Sequence, residues 1–484
     1  MKMRIIIISA IALLSLCLSG TVTAQVGKPF IHDPSTIMEC EGKYYTFGTG
    51  GGGLISEDGW KWNSGAVRPG GGAAPDAIKI GDRYLIIYGA TGGGFGHGRK
   101  GRILTMWNKT LDPNSPDFKY SEAVVVASTE SDIEDCDAID PGVLLDPTDG
   151  RLWLVYGTYY GFIRLVELDP KTGKRVEGNE AIDIATGCEG STLMYHDGWY
   201  YHLGTHGTCC DGANSRYNIV VGRSRKVTGP YLDNLGRDMI RGGGKLVVAS
   251  GGRIIGPGHF GLLDLGDGVQ KMSCHYEADL DQSGRSVLGI RPLLWKNGWP
   301  FAGDNFKEGT YEIESERRGY ALELVVDFVR MAGGMRGFGR NTDEPVKSVP
   351  SQELADVINT WPTGNIGVRN GEYMTRPHQK WTITAVPDAG GYPGGPYYKI
   401  VIAGTNRALA ATAEAEVITV PTFTGVPEQL WRIDQLTDGT YRIMPRAVPG
   451  SKENLALVSI GDRTPTLAKF DMNSDNSKWN FKAH

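Results

Sequence analysis

The stretch Cys188–Leu203, CEGSTLMYHDGWYYHL, decides the fold. It opens on a carboxylate, Glu189, and runs through Thr192, Leu193, Met194 and Tyr195. It then turns at Asp197-Gly198 and returns through Trp199, Tyr200 and Tyr201. β-formers on both sides of an Asp-Gly pair predict a hairpin with a two-residue turn. The unit occurs five times, turning at Glu41-Gly42, Gly81-Asp82, Asp149-Gly150, Asp197-Gly198 and Asp267-Gly268. The second turn residues stand 40, 68, 48 and 70 residues apart.

Ahead of each turn, on the first strand of the hairpin, lies one polar group. These are Asp33, Asp76, Asp140, Glu189 and His259, standing 9, 6, 10, 9 and 9 residues before the second turn residue. Hairpin repeats of this length predict a β-propeller, whose four-stranded blades surround a central channel. A polar residue at one register of each innermost strand reaches a common point at the channel mouth. Four carboxylates and an imidazole would meet there, although like charges raise one another's pKa. The competing reading has these acids capping turns or pairing with arginines on separate blades.

At 484 residues, two domains are expected. Abundant glycine (68 residues) suits an all-β chain with many turns, and a net charge of −5 offers no footprint for nucleic acid. Residues 1–24 read as a secretory signal: Lys2 and Arg4, then apolar Ile5–Leu18, then Val22-Thr23-Ala24. Export to the periplasm, cell surface or medium follows, and no other stretch could span a bilayer. Cys17 leaves with the signal. The six remaining cysteines, Cys40, Cys136, Cys188, Cys209, Cys210 and Cys274, permit disulfides without fixing their pairing. Adjacent Cys209 and Cys210 suit neither a tetrahedral metal site nor an ordinary bridge.

Past Phe306 the pattern changes. Gly309-Thr310-Tyr311-Glu312-Ile313 is echoed at Tyr397–Ile400 and Gly439–Ile443, each followed by an Ala-Leu phrase. Gln379-Lys380-Trp381, Gln429-Leu430-Trp431 and the variant Ser477-Lys478-Trp479 close the units, their tryptophans 50 and 48 residues apart. A threefold β repeat of this kind buries one indole per unit around a pseudo-threefold core. Arg336–Gly364 reads as an insertion in the first unit, with a helical turn at Ser351–Ile358. The expected domains are thus a propeller over 25–305 and a threefold β module over 306–484.

Hydrolysis of a glycosidic bond needs an acid for the leaving oxygen and a second carboxylate to activate water or attack carbon. Asp33 and Glu189 belong to the first and fourth units, so they face each other across the channel. That favours the wider, inverting separation of about 6.5–9.5 Å. Asp140 lies between them in sequence, and its charge would keep Glu189 protonated. Tyr159 and Tyr160 follow the third unit and reach either the mouth or the rim.

Several strings together resemble glycoside hydrolase family 43, most closely its arabinan endo-1,5-α-L-arabinanases. They are HDPS at His32–Ser35, AIDPGVLLD at Ala138–Asp146, EGSTLMYHDGWYYHLGTHGTCC at Glu189–Cys210, GRSRKVTGPY at Gly222–Tyr231, GPGH at Gly256–His259 and LGIRPLLW at Leu288–Trp295. The resemblance covers residues 28–305 and implies a five-bladed propeller with an inverting mechanism. It makes Asp33 the general base, Glu189 the general acid and Asp140 the residue that tunes and orients the acid. It places His259 beside a calcium ion in the channel, where water would complete the shell. Asp76, Tyr160 and Arg291 become candidate substrate contacts. The family's tryptophan before Ala-Pro-Asp is absent, since Ala73 precedes Ala74-Pro75-Asp76. The final third resembles the ricin-type β-trefoil lectin fold, either binding sugar or packing on the propeller as a structural module.

The expected function is an inverting hydrolase of α-L-arabinofuranosyl linkages in plant cell-wall polysaccharide. Its rivals are an exo-acting arabinofuranosidase, β-xylosidase or galactosidase of the same family and a non-catalytic glycan-binding protein.

Overall fold

A computed structural model describes residues 25–91, 101–130, 136–317, 319–326, 358–460 and 464–483. The expected signal segment and most of the expected insertion, including all of the helical turn but Ile358, lie outside these residues. Five antiparallel sheets come first. Blade 1 runs from Met38–Cys40 outward through Lys43–Phe47, Gly52–Ser56 and Lys61–Val67, with Val26–Gly27 added in parallel at its edge. Blade 2 runs from Ala73–Ile80 to Val124–Ser128, blade 3 from Gly142–Leu145 to Ile182–Thr186, blade 4 from Cys188–His196 to Lys245–Val248 and blade 5 from Ile254–Asp264 to Trp299–Ala302.

The turns form where the sequence places them. Glu41 and Gly42 (φ 54° and 79°), like Asp197 and Gly198 (φ 47° and 74°), adopt the paired left-handed conformation that lets a two-residue turn match strand twist. Apolar side chains then pack between blades. Tyr201, Leu203, Ile219 and Val221 of blade 4 share one cluster with Met272, Cys274 and Leu293 of blade 5. The ring closes through the segment ahead of blade 1. Phe30 bridges Val287, and the Leu288 amide donates to the Pro29 carbonyl at 2.7 Å, both on the third strand of blade 5.

Cys209 and Cys210 are bonded to each other. Adjacency, which seemed to disfavour a bridge, here makes one between neighbours. Cys40, Cys136, Cys188 and Cys274 remain buried thiols in four different hydrophobic clusters, so they do not meet.

The last part is a β-trefoil. Strands Gly309–Ser315, Lys380–Ala385, Tyr398–Ile402, Trp431–Gln435, Tyr441–Pro445 and Trp479–Ala483 close into a six-stranded barrel. Trp381, Trp431 and Trp479 are fully buried in it. Their indole N–H groups donate to the carbonyls of Leu322, Leu409 and Leu457 at 2.8, 3.0 and 2.8 Å. Each is the leucine of that unit's Ala-Leu phrase. Gln379 and Gln429 accept from the amides of Met374 and Thr424, and Ser477 does the same for Asp471. The variant third unit therefore keeps the bond while changing the residue.

The trefoil is fastened to blades 1 and 5. Gly391 donates to the Asp58 carboxylate at 2.9 Å, and Thr437 to the Gly268 carbonyl at 2.8 Å. Among the described residues, no helix is long and apolar enough to cross a membrane.

Candidate active site

A residue on or ahead of each blade's inner strand has left-handed backbone: Asp33 (φ 50°), Ala74 (44°), Asp140 (53°), Gly190 (52°) and His259 (60°). In blades 2, 4 and 5 the strand pairing slips at that point, the mark of a bulge. For a residue with a Cβ this conformation costs on the order of 1–2 kcal/mol. Backbone kept at such a cost in blades 1, 2, 3 and 5, with glycine taking the position in blade 4, turns the chain toward the axis.

The bulge corrects the register expected from sequence. The position equivalent to Asp33 in blade 2 is Ala74, and Asp76 lies two residues farther along. Asp76 accepts from the backbone amides of Thr36 (3.0 Å), Ala77 (2.8 Å) and Val143 (2.9 Å). These amides belong to blades 1, 2 and 3, so Asp76 braces the ring instead of facing the mouth. Glu189 stands one residue before its bulge.

At the mouth the Asp33 carboxylate meets three imidazoles. His32 Nδ1 lies 2.9 Å from Oδ2, while His275 and His259 Nδ1 lie 3.7 and 3.9 Å from Oδ1. Thr49 donates to Oδ2 at 2.7 Å and is itself held by the Ala74 amide. Burial pushes the Asp33 carboxyl up, but the His32 hydrogen bond and the charges of His32, His275 and His259 outweigh it and hold the group well below the usual carboxylate range.

Glu189, only 7% exposed, behaves oppositely. Burial is the main cause and the Asp33 charge adds to it, while a hydrogen bond from Tyr217 opposes them; the carboxyl is pushed up to about 8. Asp140 is held by the Gly190 amide, which donates to its Oδ2 at 3.3 Å. Burial, Glu189 and Asp33 also raise Asp140 well above its ordinary value. The Glu189 shift therefore comes first from burial, and the visible contact of Asp140 is to the peptide following the acid. At neutral pH one carboxyl is protonated and its partner across the mouth is ionised.

His259 is fixed by its own amide, which donates to Thr205 Oγ1 at 2.9 Å. The donors around it are Asp33 and imidazole nitrogens. Calcium takes six to eight oxygens, so these side chains alone do not form a calcium cage, and an ion there would be held mainly by water. His32, Asp33 and His275 present ligand atoms within 4.8 Å of one another.

Tyr160 is 42% exposed on the rim, its ring 4.5 Å from that of Tyr159. Arg291 lies on the third strand of blade 5, bonded to the Gly303 carbonyl (2.8 Å) and Asp304 (2.9 Å). The structure does not bring it to the acids.

Sequence reasoning missed His275 and Glu277. They share one face of the second strand of blade 5, and Glu277 joins His32 (3.1 Å), His275 (3.6 Å) and the Cys210 amide (3.2 Å). Ser273, His275 and Glu277 alternating with apolar residues in Met272–Ala278 were the available signal. Tyr217, the partner of Glu189, carries no sequence signal of its own.

Residues 46–300 match the profile of glycosyl hydrolases family 43, and residues 377–459 that of the ricin-type β-trefoil lectin domain-like family. An extracellular exo-α-(1→5)-L-arabinofuranosidase of Cellvibrio japonicus is 33% identical over 329 residues, covering 60% of this chain and 91% of its own. An extracellular endo-α-(1→5)-L-arabinanase of Bacillus subtilis is 32% identical over 231 residues, covering 47% of this chain and 67% of its own. Among solved structures, an exo-1,5-α-L-arabinanase from a bovine ruminal metagenomic library superposes with a TM-score of 0.52 at 31% identity, covering 57% of this chain and 97% of that one.

Proposed function

The chain belongs to glycosyl hydrolases family 43, and from that premise we propose that it is an exported hydrolase of α-1,5-linked L-arabinofuranosyl chains in plant cell-wall polysaccharide, acting with inversion. The observation that carries this reading is the opposed state of two carboxyls at one mouth, Glu189 raised to about 8 and Asp33 held low. Glu189 donates its proton to the departing sugar oxygen. Asp33 takes a proton from the water that attacks the anomeric carbon from the other side. Asp140 positions the acid through the Gly190 amide, and His32, His275 and Thr49 hold the base ionised and oriented.

A calcium ion in the channel, if bound, would touch His259 through water and add positive charge near the substrate, and no proton transfer described here depends on it. Export agrees with the extracellular relatives. The trefoil, clamped to blades 1 and 5, is read as part of the enzyme's rigid body. A panel of plant polysaccharides with product sizing tests the reading. Arabinan should be cleaved well ahead of xylan and galactan; oligomeric products mean endo attack and arabinose alone exo attack. Binding without hydrolysis on every glycan would overturn it.

A further inference from the structure

Beside Glu189, on the rim of blade 4, lies an open cleft of about 510 Å³ lined by Tyr159, His206, Thr208, Arg216 and Asn218. Its position follows from strand alternation. Glu189 pairs with Thr205, and His206 is the next residue out. Tyr217 turns inward and donates to Glu189, so its neighbours Arg216 and Asn218 turn outward into the cleft. Tyr159 feels the charge of Glu189 and so links cleft to acid.

The lining is rich in donors. Asn218 uses its amide on the Arg216 carbonyl at 3.1 Å and on His206 at 3.5 Å. The Arg216 guanidinium itself is exposed and has no hydrogen-bond or ion-pair partner among the described residues. Other arginines of blades 3 and 4 are occupied: Arg223 on the Gly298 carbonyl and the Trp199 and Trp299 rings, Arg164 on Asp183. At the axis the imidazoles are taken by the Asp33 and Glu277 carboxylates, whereas at the rim Arg216 is open to an anionic ligand.

We propose that this cleft receives the departing portion of the substrate and that Arg216 there binds the carboxylate of an acidic, uronate-bearing sugar residue. The proposal rests on the hydrolase reading, because the general acid stands on the leaving-group side and a cleft on its flank takes the sugars that leave. A planar guanidinium matches a carboxylate through two parallel N–H donors, which a neutral sugar cannot use as fully. Arg216 is thus a specificity-determining residue outside the acid–base machinery.

The test uses two matched arabino-oligosaccharides, one bearing a hexuronate on the leaving side and its carboxyl-reduced twin. For the full chain kcat/KM should favour the acidic substrate by about tenfold at low salt, one charge-assisted contact. Arg216→Ala should bring the ratio to about one, Arg216→Lys should keep part of it, and added salt should shrink it. Dissociation constants in the Glu189→Gln background should show the same ratios without turnover. Equal kcat/KM for both twins in the wild type, or a preference surviving in Arg216→Ala, would overturn the proposal while leaving the hydrolase reading intact. Matching affinity ratios with no hydrolysis of either twin would instead sink the hydrolase reading and keep the carboxylate subsite.

Discussion

Two buried clusters of charge flank blade 5, and they follow opposite plans. At its junction with the trefoil, Asp434 is fully buried and faces three cations: Arg432 Nε at 2.6 Å, Arg442 at 2.9 Å and Lys271 Nζ at 3.6 Å. Burial raises the Asp434 carboxyl, but the arginines and Lys271 overcome that and hold it low. Burial in turn brings the Lys271 ammonium down to about 8. At the mouth, carboxyls lie near carboxyls, and the imidazoles serve Asp33 and Glu277 while Glu189 and Asp140 have no cation of their own, only the Tyr217 hydroxyl and the Gly190 amide. The junction is matched for attachment. The mouth is left unmatched, which is how one fold keeps an acid and a base ready at the same pH.

Neutralising an acid should therefore have opposite effects in the two places. Asp434→Asn removes the counter-charge of three cations, of which Lys271 and Arg442 are buried, and should lower stability by about 3–5 kcal/mol in denaturant titration. Glu189→Gln should hold or raise stability, because it relieves a buried carboxyl. A loss of equal size at both sites would erase the contrast.

For activity the ranking reverses. Glu189→Gln and Asp33→Asn should each lower kcat on linear arabinan by at least ~10²-fold. Asp434→Asn, assayed where it is folded, should leave kcat within a few-fold. Near-normal release of reducing sugar by either mouth variant would remove the assigned roles.

The pH profile sharpens the comparison further. Glu189 must be protonated to act, so kcat/KM should fall as pH rises through about 8. Asp33 must be ionised and is held low, so the acid limb should lie below the usual carboxylate range. The Tyr217 hydroxyl favours the Glu189 carboxylate, so Tyr217→Phe should move the alkaline limb to higher pH. An alkaline limb that stays in place would detach Tyr217 from the acid.

Much of this was legible in the residues because turn chemistry is local. Asp-Gly pairs announced the hairpins, and the tryptophan spacing announced the trefoil, down to Ser477 standing in for glutamine. Asp33, Asp140 and Glu189 could be picked out because they stand 9 or 10 residues ahead of the second turn residue, a register that Asp76, at 6, does not share. Asp76 misled because it stands two residues past the left-handed Ala74, beyond a one-residue bulge, and bulges leave no composition signal when the turning residue is alanine. Arg291 misled because position along a motif does not say how far a strand lies from the axis. His275 and Glu277 escaped notice because they come from the second strand of a blade and reach the centre only after the ring closes through Phe30 and Val287.

The most direct test of the acid–base pair is proton NMR of the sugar released in the first moments of hydrolysis of a linear α-1,5-arabino-oligosaccharide. A single displacement by water activated at Asp33 predicts that the β anomer of the new reducing end appears first and the α anomer only later by mutarotation. The α anomer appearing first would mean a covalent intermediate and a closer pair of carboxyls, and would contradict the account.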